Sequence, residues 1–184
     1  MFDAADTQAS QSQEETAKLL RLATYASTSV AIVLIAAKLF AWAASDSVSL
    51  LATLIDSMLD AVASIINLVA VRHALTPADK EHRFGHGKAE ALAGLSQSLF
   101  IAGSAGYLLI EAWQRVIQPS AVESVELGIF VMAISIAATM LLLAFQRHVI
   151  KKTNSTAIRA DALHYRTDLM VNGSVIVALL LANA

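Results

Sequence analysis

Two pairs of ionisable side chains stand four positions apart within apolar stretches of this sequence. Asp56 and Asp60 form the first pair, and His164 and Asp168 form the second. Residues at i and i+4 of an α-helix project from the same face. Each pair would therefore present two metal ligands, carboxylate or imidazole, on one side of its helix.

A bound divalent cation would explain why such groups lie in apolar surroundings. One charge at bilayer depth costs at least about 2.5–3.5 kcal/mol, so three carboxylates and an imidazole need a compensating partner. At about 1.5 Å rise per residue, both pairs fall near the midplane of two antiparallel helices. Four N/O ligands from facing helices suit Zn²⁺ or a similar ion. The alternative is that these groups only hydrogen-bond to one another and hold a helix bundle together.

A second group of metal-ligand types lies in a polar stretch between apolar segments. Asp79, His82 and His86 occur there together with Gly85 and Gly87. Glycines allow a short loop to fold around an ion. Histidines that are merely solvated are the competing interpretation. The nearby acid at position 81, Glu81, is either a further ligand or a bystander.

The composition places these residues in a membrane protein. Hydrophobic residues make up 57% of the 184-residue chain, charged residues 15%, and the mean hydropathy is +0.61. Such an apolar excess is typical of membrane-embedded chains. The sequence has no cysteine, which excludes disulfides and thiolate ligands. No basic tract is long enough to indicate nucleic-acid binding.

The elements that must position the ligands are helices. The sequence predicts an all-α, polytopic transmembrane bundle, with about 20 apolar residues per span. The predicted domains are a polar N-terminal tail, 1–19, flexible or interfacial and unlike a signal peptide, and a transmembrane domain, 20–184. The five predicted spans are 22–44, 47–75, 89–117, 123–146 and 156–182. They are joined by a tight turn at 44–47, a loop at 76–88, a proline-marked turn at 118–120 and a basic connector at 146–153.

Other polar residues have less specific predictions. Lys38, inside the first span, is expected to snorkel or to pair with a buried acid. Arg166 is expected to pair with Asp161. His73 and His148 are expected at the membrane surface. Helix–helix hydrogen bonding, or the lining of a water path, is expected for Asp46, Asn67, Gln97, Glu111 and Asn172.

Four segments make the chain resemble a known family. They are SVSLLA at 47–52, DSMLD at 56–60, PADKEHRFGHGKAE at 77–90 and RADALHYRTD at 159–168. Together they are similar to the cation diffusion facilitator family, in its bacterial zinc/ferrous-iron efflux branch, from about residue 22 to the end. The resemblance implies a transport site formed by Asp56, Asp60, His164 and Asp168. It also implies a second, loop metal site formed by Asp79, His82 and His86.

The same resemblance implies a homodimer that exchanges metal for protons between inward-facing and outward-facing states. Members whose transport site begins with Asp, as at Asp56 here, accept several metals, including Zn²⁺, Cd²⁺ and Fe²⁺. Members usually carry a sixth span and a cytoplasmic domain, so the resemblance predicts a chain truncated after its fifth span. It also predicts the loss of the acidic partner that Lys88 has in relatives.

The predicted function is efflux of divalent transition metals across the bacterial inner membrane. Clusters of Lys and Arg beside the first span, in the second loop and in the last connector place the N-terminus in the cytoplasm by the positive-inside rule. The ion is transported rather than held as a cofactor. It displaces protons, with His164 as the principal proton carrier. An intramembrane metalloenzyme is disfavoured because HExxH and GxSxG motifs are absent. A structural or sensory subunit and an ion channel stay as alternatives.

Overall fold

The structure is a computed structural model. It describes the backbone of residues 2–46, 48–117 and 125–182. Side chains are described over the same ranges apart from 2–10, 48, 49, 111, 115, 125, 175 and 177–182. The predicted turn at 118–120 and the predicted role of the Glu111 side chain therefore lie outside the described residues, as does Ser47.

Five helices account for most of the described chain. They are α1 (Phe2–Ser45), α2 (Val48–Ala74), α3 (Lys88–Ile117), α4 (Val125–Thr153) and α5 (Thr156–Ala182). A helix at each predicted span confirms the all-α architecture. The polar segment before residue 20 is helical from residue 2 onward and continuous with the first span.

Two helix ends are set by residues in the left-handed conformation. Asp46 follows α1 with φ 54°, and Asn154 follows α4 with φ 52°. Asn and Asp tolerate this conformation, which commonly closes a helix. The backbone N–H of Asn154 donates to the carbonyl of Ile150 at 2.9 Å.

The prediction of a basic connector at 146–153 was wrong, because α4 continues to Thr153. Its final Lys151 and Lys152 favour the helix by complementing the negative end of the helix dipole.

The helices form a closed ring around a central space. Helix α1 packs against α2 and α4, α2 packs against α3, α3 packs against α5, and α5 packs against α4. Helices α2 and α5 also touch each other across the ring. This arrangement turns the α2 and α5 faces that carry the ligand pairs toward a shared interior.

The largest cluster of buried apolar side chains among the described residues lies at one end of the ring, where the α2–α3 and α4–α5 connections are. We call this the loop end. All five helices contribute to the cluster there, and its fully buried members include Ala23, Val149, Ala157 and Ile158. Small side chains let neighbouring helices approach closely in such bundles. Packing at the loop end therefore holds all five helices together, including α2 and α5, which carry the candidate ligands.

The exposed surface has the character expected of a membrane protein. Within the residues that the structure describes, four helices, α1 to α4, are long and apolar enough to span a bilayer. Large apolar side chains such as Phe40, Val69 and Leu141 are exposed on the outside of the bundle, as lipid contact requires. Helix α5 has 27 residues, as many as α2. Its first half carries several charged residues, and these include the ligands predicted from sequence.

Candidate metal centre

Three of the predicted transport ligands meet inside the ring. Nε2 of His164 lies 3.1 Å from Oδ1 of Asp60 and 3.7 Å from Oδ2 of Asp168. One ligand atom from each residue lies within 4.8 Å of the others. The His164 side chain is only 2% exposed, and the two carboxylates are 16% and 23% exposed. Helices α2 and α5 therefore bring one imidazole and two carboxylates to a single point.

Two of these ligand atoms, one on His164 and one on Asp168, are not satisfied by hydrogen bonds. Nε2 of His164 and Oδ2 of Asp168 are both buried, and neither has a hydrogen-bond partner among the described residues. Leaving a buried polar atom unpaired costs about 1–3 kcal/mol. A purely structural polar cluster would be expected to pair these atoms. Their convergence without hydrogen bonds is the arrangement that a shared cation would stabilise.

The fourth predicted ligand, Asp56, lines the same cavity. This cavity has a volume of about 360 Å³. It is also lined by Asn172 and by the three converging residues Asp60, His164 and Asp168, which we call the triad. Asp56 is not part of the group whose ligand atoms lie within 4.8 Å. It lies one helical turn before Asp60, on the same face of α2. The structure thus brings three ligands together and places the fourth at the wall of their cavity.

Lys38 supplies a positive charge to this cavity from α1. Its ammonium donates to Oγ of Ser57 at 2.6 Å and to the carbonyl of Thr53 at 3.1 Å. It is 7% exposed, so it does not snorkel to the bilayer surface. Its charge interacts favourably with Asp56 and, more weakly, with Asp60. Of the two roles expected for Lys38, the structure supports interaction with buried acids.

The neighbouring tyrosine anchors His164. The Tyr165 hydroxyl donates to the carbonyl of Ser27 on α1 at 3.1 Å and lies 2.9 Å from Oγ of Ser64 on α2. All three side chains are at most 2% exposed. Buried hydroxyls that find partners hold helices in a defined rotation. The rotation of α5 that directs His164 into the ring is therefore fixed from both α1 and α2.

A second buried acid lies one turn before His164. Asp161 is fully buried and accepts hydrogen bonds from the side-chain amides of Gln97, at 3.1 Å, and Gln146, at 2.7 Å. The predicted pairing of Arg166 with Asp161 was wrong, since Arg166 is exposed. The two residues are five apart, so they do not share a helix face. Asp161 instead joins α5 to α3 and α4.

The beginning of α5 is held by an acid from α3. Glu90 accepts hydrogen bonds from the Ser155 hydroxyl and from the backbone N–H of Ala157. Ser155 in turn accepts from the backbone N–H of Ile158 at 3.2 Å, as an N-cap residue does. A carboxylate at a helix N-terminus is also favoured by the helix dipole. The start of the ligand-bearing helix is thereby attached to α3.

The loop between α2 and α3 brings the second predicted ligand set together. Ligand atoms of Asp79, His82 and His86 lie within 4.8 Å of one another. Nδ1 of His82 is 3.2 Å from Oδ1 of Asp79, and Nε2 of His86 is 3.8 Å from Oδ2. Gly85 has φ 76°, which a residue with a side chain rarely adopts. Glu81 is exposed and contributes its backbone N–H to Asp79.

Hydrogen bonds hold the Asp79 carboxylate in its ionised form. Oδ1 accepts from the backbone N–H groups of His82, at 2.5 Å, and Glu81, at 3.0 Å. The pKa of Asp79 is lowered from its ordinary value, mainly by the His82 backbone N–H and further by the His82 side chain. Donors that favour the charged form have this effect. Asp79 is thus ionised at neutral pH, as a metal ligand must be.

Comparison with known sequences identifies the family. The profile of the cation efflux transmembrane domain matches residues 24–184. The chain belongs to the cation efflux family. This confirms the resemblance that the sequence motifs indicated, and it places both ligand sets within a matched transmembrane domain.

Several curated members of the cation efflux family are similar to this chain. The cation-efflux pump FieF of Pectobacterium carotovorum is 51% identical over 166 residues, which is 90% of this chain and 55% of the relative. The pump of the same name from Yersinia enterocolitica is 49% identical, with the same coverage. That of Klebsiella pneumoniae is 48% identical over 88% of this chain and 54% of the relative. The chain thus spans about half the length of these relatives.

Some residues around the two sites were not found from sequence. Helix–helix hydrogen bonding was predicted for Gln97 and Asn67; it is confirmed for Gln97, whereas the buried Asn67 side chain has no hydrogen-bond partner among the described residues. Nothing indicated that Gln97 would donate to Asp161 beside Gln146. His73 was expected only at the membrane surface, but its ring lies 4.4 Å from that of His86. A histidine close before the loop was visible in the sequence. Its contact depends on how the loop folds back onto α2, which no residue spacing indicates.

Proposed function

We propose that this chain is the membrane part of a divalent transition-metal efflux carrier that exchanges metal for protons. The observation that carries the proposal is the convergence of Asp60, His164 and Asp168, with Nε2 of His164 and Oδ2 of Asp168 buried and without hydrogen bonds among the described residues. Membership of the cation efflux family supports it. The names of the similar relatives, cation-efflux pumps, agree with it.

The transported ion binds between α2 and α5. Asp60, His164 and Asp168 provide one nitrogen and two oxygen ligands, and Asp56 on the cavity wall provides the fourth. Such a donor set suits Zn²⁺, Fe²⁺ and Cd²⁺, which accept mixed imidazole and carboxylate ligation. The ion is substrate rather than cofactor, and the chain needs no covalent chemistry to move it.

Proton exchange follows from the ligand chemistry. Carboxylate and imidazole must lose their protons to bind a metal, so loading releases protons and unloading takes them up. Imidazole is the side chain whose protonation changes closest to neutral pH, which makes His164 the principal proton carrier. Alternating access then requires α2 and α5 to shift against the rest of the ring, so that the cavity opens to one side at a time.

The remaining parts of the proposal concern the setting of the carrier. The transmembrane domain lies in the bacterial inner membrane with its N-terminus and its loop end in the cytoplasm, as the Lys and Arg distribution requires. Asp79, His82 and His86 form a second metal site on that side. Two copies of the chain associate as a homodimer.

Metal uptake into vesicles tests the transport site. The purified chain is reconstituted into liposomes that contain a zinc-sensitive dye, and a pH gradient is imposed. Asp60→Asn and His164→Ala are expected to abolish the gradient-driven zinc signal. Glu126→Gln, which removes an exposed acid on α4, is expected to leave the signal intact.

Unchanged flux in both site variants would contradict the proposal. Flux independent of the pH gradient would indicate a channel. No saturable zinc binding in calorimetry would indicate a structural subunit.

A further inference from the structure

Three imidazole rings lie in a row beside the loop. The His86 ring is in the middle, with its centroid 4.4 Å from that of His73 and 4.5 Å from that of His82. His82 and His86 belong to the loop, but His73 belongs to the last turn of α2. The predicted loop site comprises only His82, His86 and Asp79, so the contact of His73 with it has no assigned purpose.

The middle ring is buried without full hydrogen bonding. His86 is 7% exposed, and its Nδ1 has no hydrogen-bond partner among the described residues. An unpaired buried nitrogen costs about 1–3 kcal/mol. Neighbouring imidazoles would also repel one another if they were protonated. A cation shared by the rings removes both costs, because histidine binds metal as the neutral imidazole.

We infer that His73 is a fourth ligand of the loop site, which then holds Zn²⁺ or a similar ion with three imidazoles and the Asp79 carboxylate. This inference rests on the proposed function of the loop site. The ligand atoms of the other three residues already lie within 4.8 Å of one another. His73 is exposed, so its ring can turn from its contact with His86 toward those atoms by a change of rotamer.

A fourth protein ligand changes the character of the loop site. Three ligands leave one tetrahedral position for water, whereas four close the site, as in structural zinc centres. His73 is on the same helix as Asp60, thirteen positions further on, which is about 20 Å along the axis. An ion bound by His73 therefore fastens the end of the transport helix α2 to the loop. The loop ion becomes a retained part of the carrier rather than an ion in transit.

The experiment isolates the loop site in the whole 184-residue chain. Asp60→Asn and His164→Ala together remove the transport site, and zinc alone is added as the probe. X-ray absorption at the zinc edge counts imidazole ligands, and calorimetry gives the Kd. Three imidazoles are expected with His73 in place. With His73→Ala, two imidazoles and an affinity lower by at least about tenfold are expected. His148→Ala, which removes an exposed histidine on α4, is expected to change neither measurement.

A second variant separates ligation from packing. His73→Phe keeps a ring against His86 but has no nitrogen, so it is expected to behave like His73→Ala. Zinc affinity retained in His73→Phe but lost in His73→Ala would show a packing role and overturn the inference. If zinc had two imidazole ligands and the same Kd with His73 and with His73→Ala, the inference would be overturned, but the loop site would remain. If the Asp60→Asn/His164→Ala double variant with His73 intact bound no zinc, the loop site and the inference would both be overturned.

Discussion

Nε2 of His164 on α5 lies 3.1 Å from Oδ1 of Asp60 on α2, across the centre of a five-helix ring. The two helices have their main contacts with other neighbours and meet each other only over a small area. Their mutual contacts include the Asp60–His164 pair and the hydrogen bond between Ser64 and Tyr165. At the proposed site, a bound ion would join the two helices, and its release would loosen that connection.

Removing one negative charge from the triad of Asp60, His164 and Asp168 should lower the affinity of the chain for zinc. Asp60→Asn preserves side-chain volume but replaces an anionic ligand by a neutral amide, so zinc affinity should fall at least about tenfold. Calorimetric titration of the purified chain measures it. Glu126→Gln is the matched control, since it removes an acid that is exposed on α4. Equal zinc affinity in Asp60→Asn and the control would exclude Asp60 as a ligand.

Lys38 should stabilise the metal-free site and oppose the metal. Lys38→Met keeps the length of the side chain but leaves the cavity carboxylates without this nearby positive charge, which should lower the Tm measured without zinc. Zinc no longer meets a competing positive charge, so the rise in Tm that it produces should be larger than in the unaltered protein. Thermal unfolding with and without zinc measures both effects.

Lys152→Met serves as the control for that experiment because Lys152 is exposed at the end of α4. It should change neither the Tm nor the zinc-induced shift. A zinc-induced shift that is the same in Lys38→Met as in the unaltered protein would show that the ammonium does not compete with the ion.

The buried Asp161 should depend on both of its amide donors. Gln146→Leu removes the 2.7 Å hydrogen bond to Oδ2 in a fully buried setting. Hydrogen bonds to charged groups contribute about 1.5–3 kcal/mol, and the free energy of unfolding should fall by that amount. Denaturant unfolding in detergent measures it, with Gln114→Leu on the exposed face of α3 as control. A loss no larger than that of the control would mean that Asp161 is satisfied without Gln146.

The loop around Asp79 should lose its hydrogen bonds only below the pH at which an ordinary Asp is protonated. The pKa of Asp79 is lowered, mainly by the backbone N–H of His82. Its stabilisation of the loop is therefore complete above about pH 4, the ordinary range of an Asp, and is lost as the pH falls through the lowered pKa. The NMR shift of the His82 amide should titrate with a midpoint below that range. Asp79→Asn should abolish this titration, and a midpoint at or above about 4 would contradict the assignment.

The sequence was sufficient for the parts of the molecule that depend on local spacing. Apolar length predicted a helix at each of the five positions. The i, i+4 rule placed Asp56 with Asp60 and His164 with Asp168. Because charges are costly in lipid, it was also possible to predict that the two pairs face each other. The structure brings three of these four residues together and shows Asp56 lining their cavity.

The remaining features depend on how the helices are arranged in space. Arg166 was paired with Asp161 because the two are near in sequence, but the partners of Asp161 come from α3 and α4. The end of α4 was placed too early because a basic stretch resembles a loop, although Lys and Arg are good helix formers. The contact of His73 with His86 requires the loop to fold back onto α2. Neither composition nor periodicity contains that information.

For the proposed carrier, the cavity inside the ring would also determine how an ion sheds its water. It measures about 360 Å³, many times the roughly 10–15 Å³ of cavity volume that one water molecule needs, so it has room for several water molecules. Polar groups such as Asn172, Ser104 and Thr139 line its walls beside the carboxylates. In the proposed carrier, the hydration shell of the ion would be exchanged for protein ligands one molecule at a time inside the cavity. Dehydration would then be a series of small barriers instead of one large barrier at the entrance.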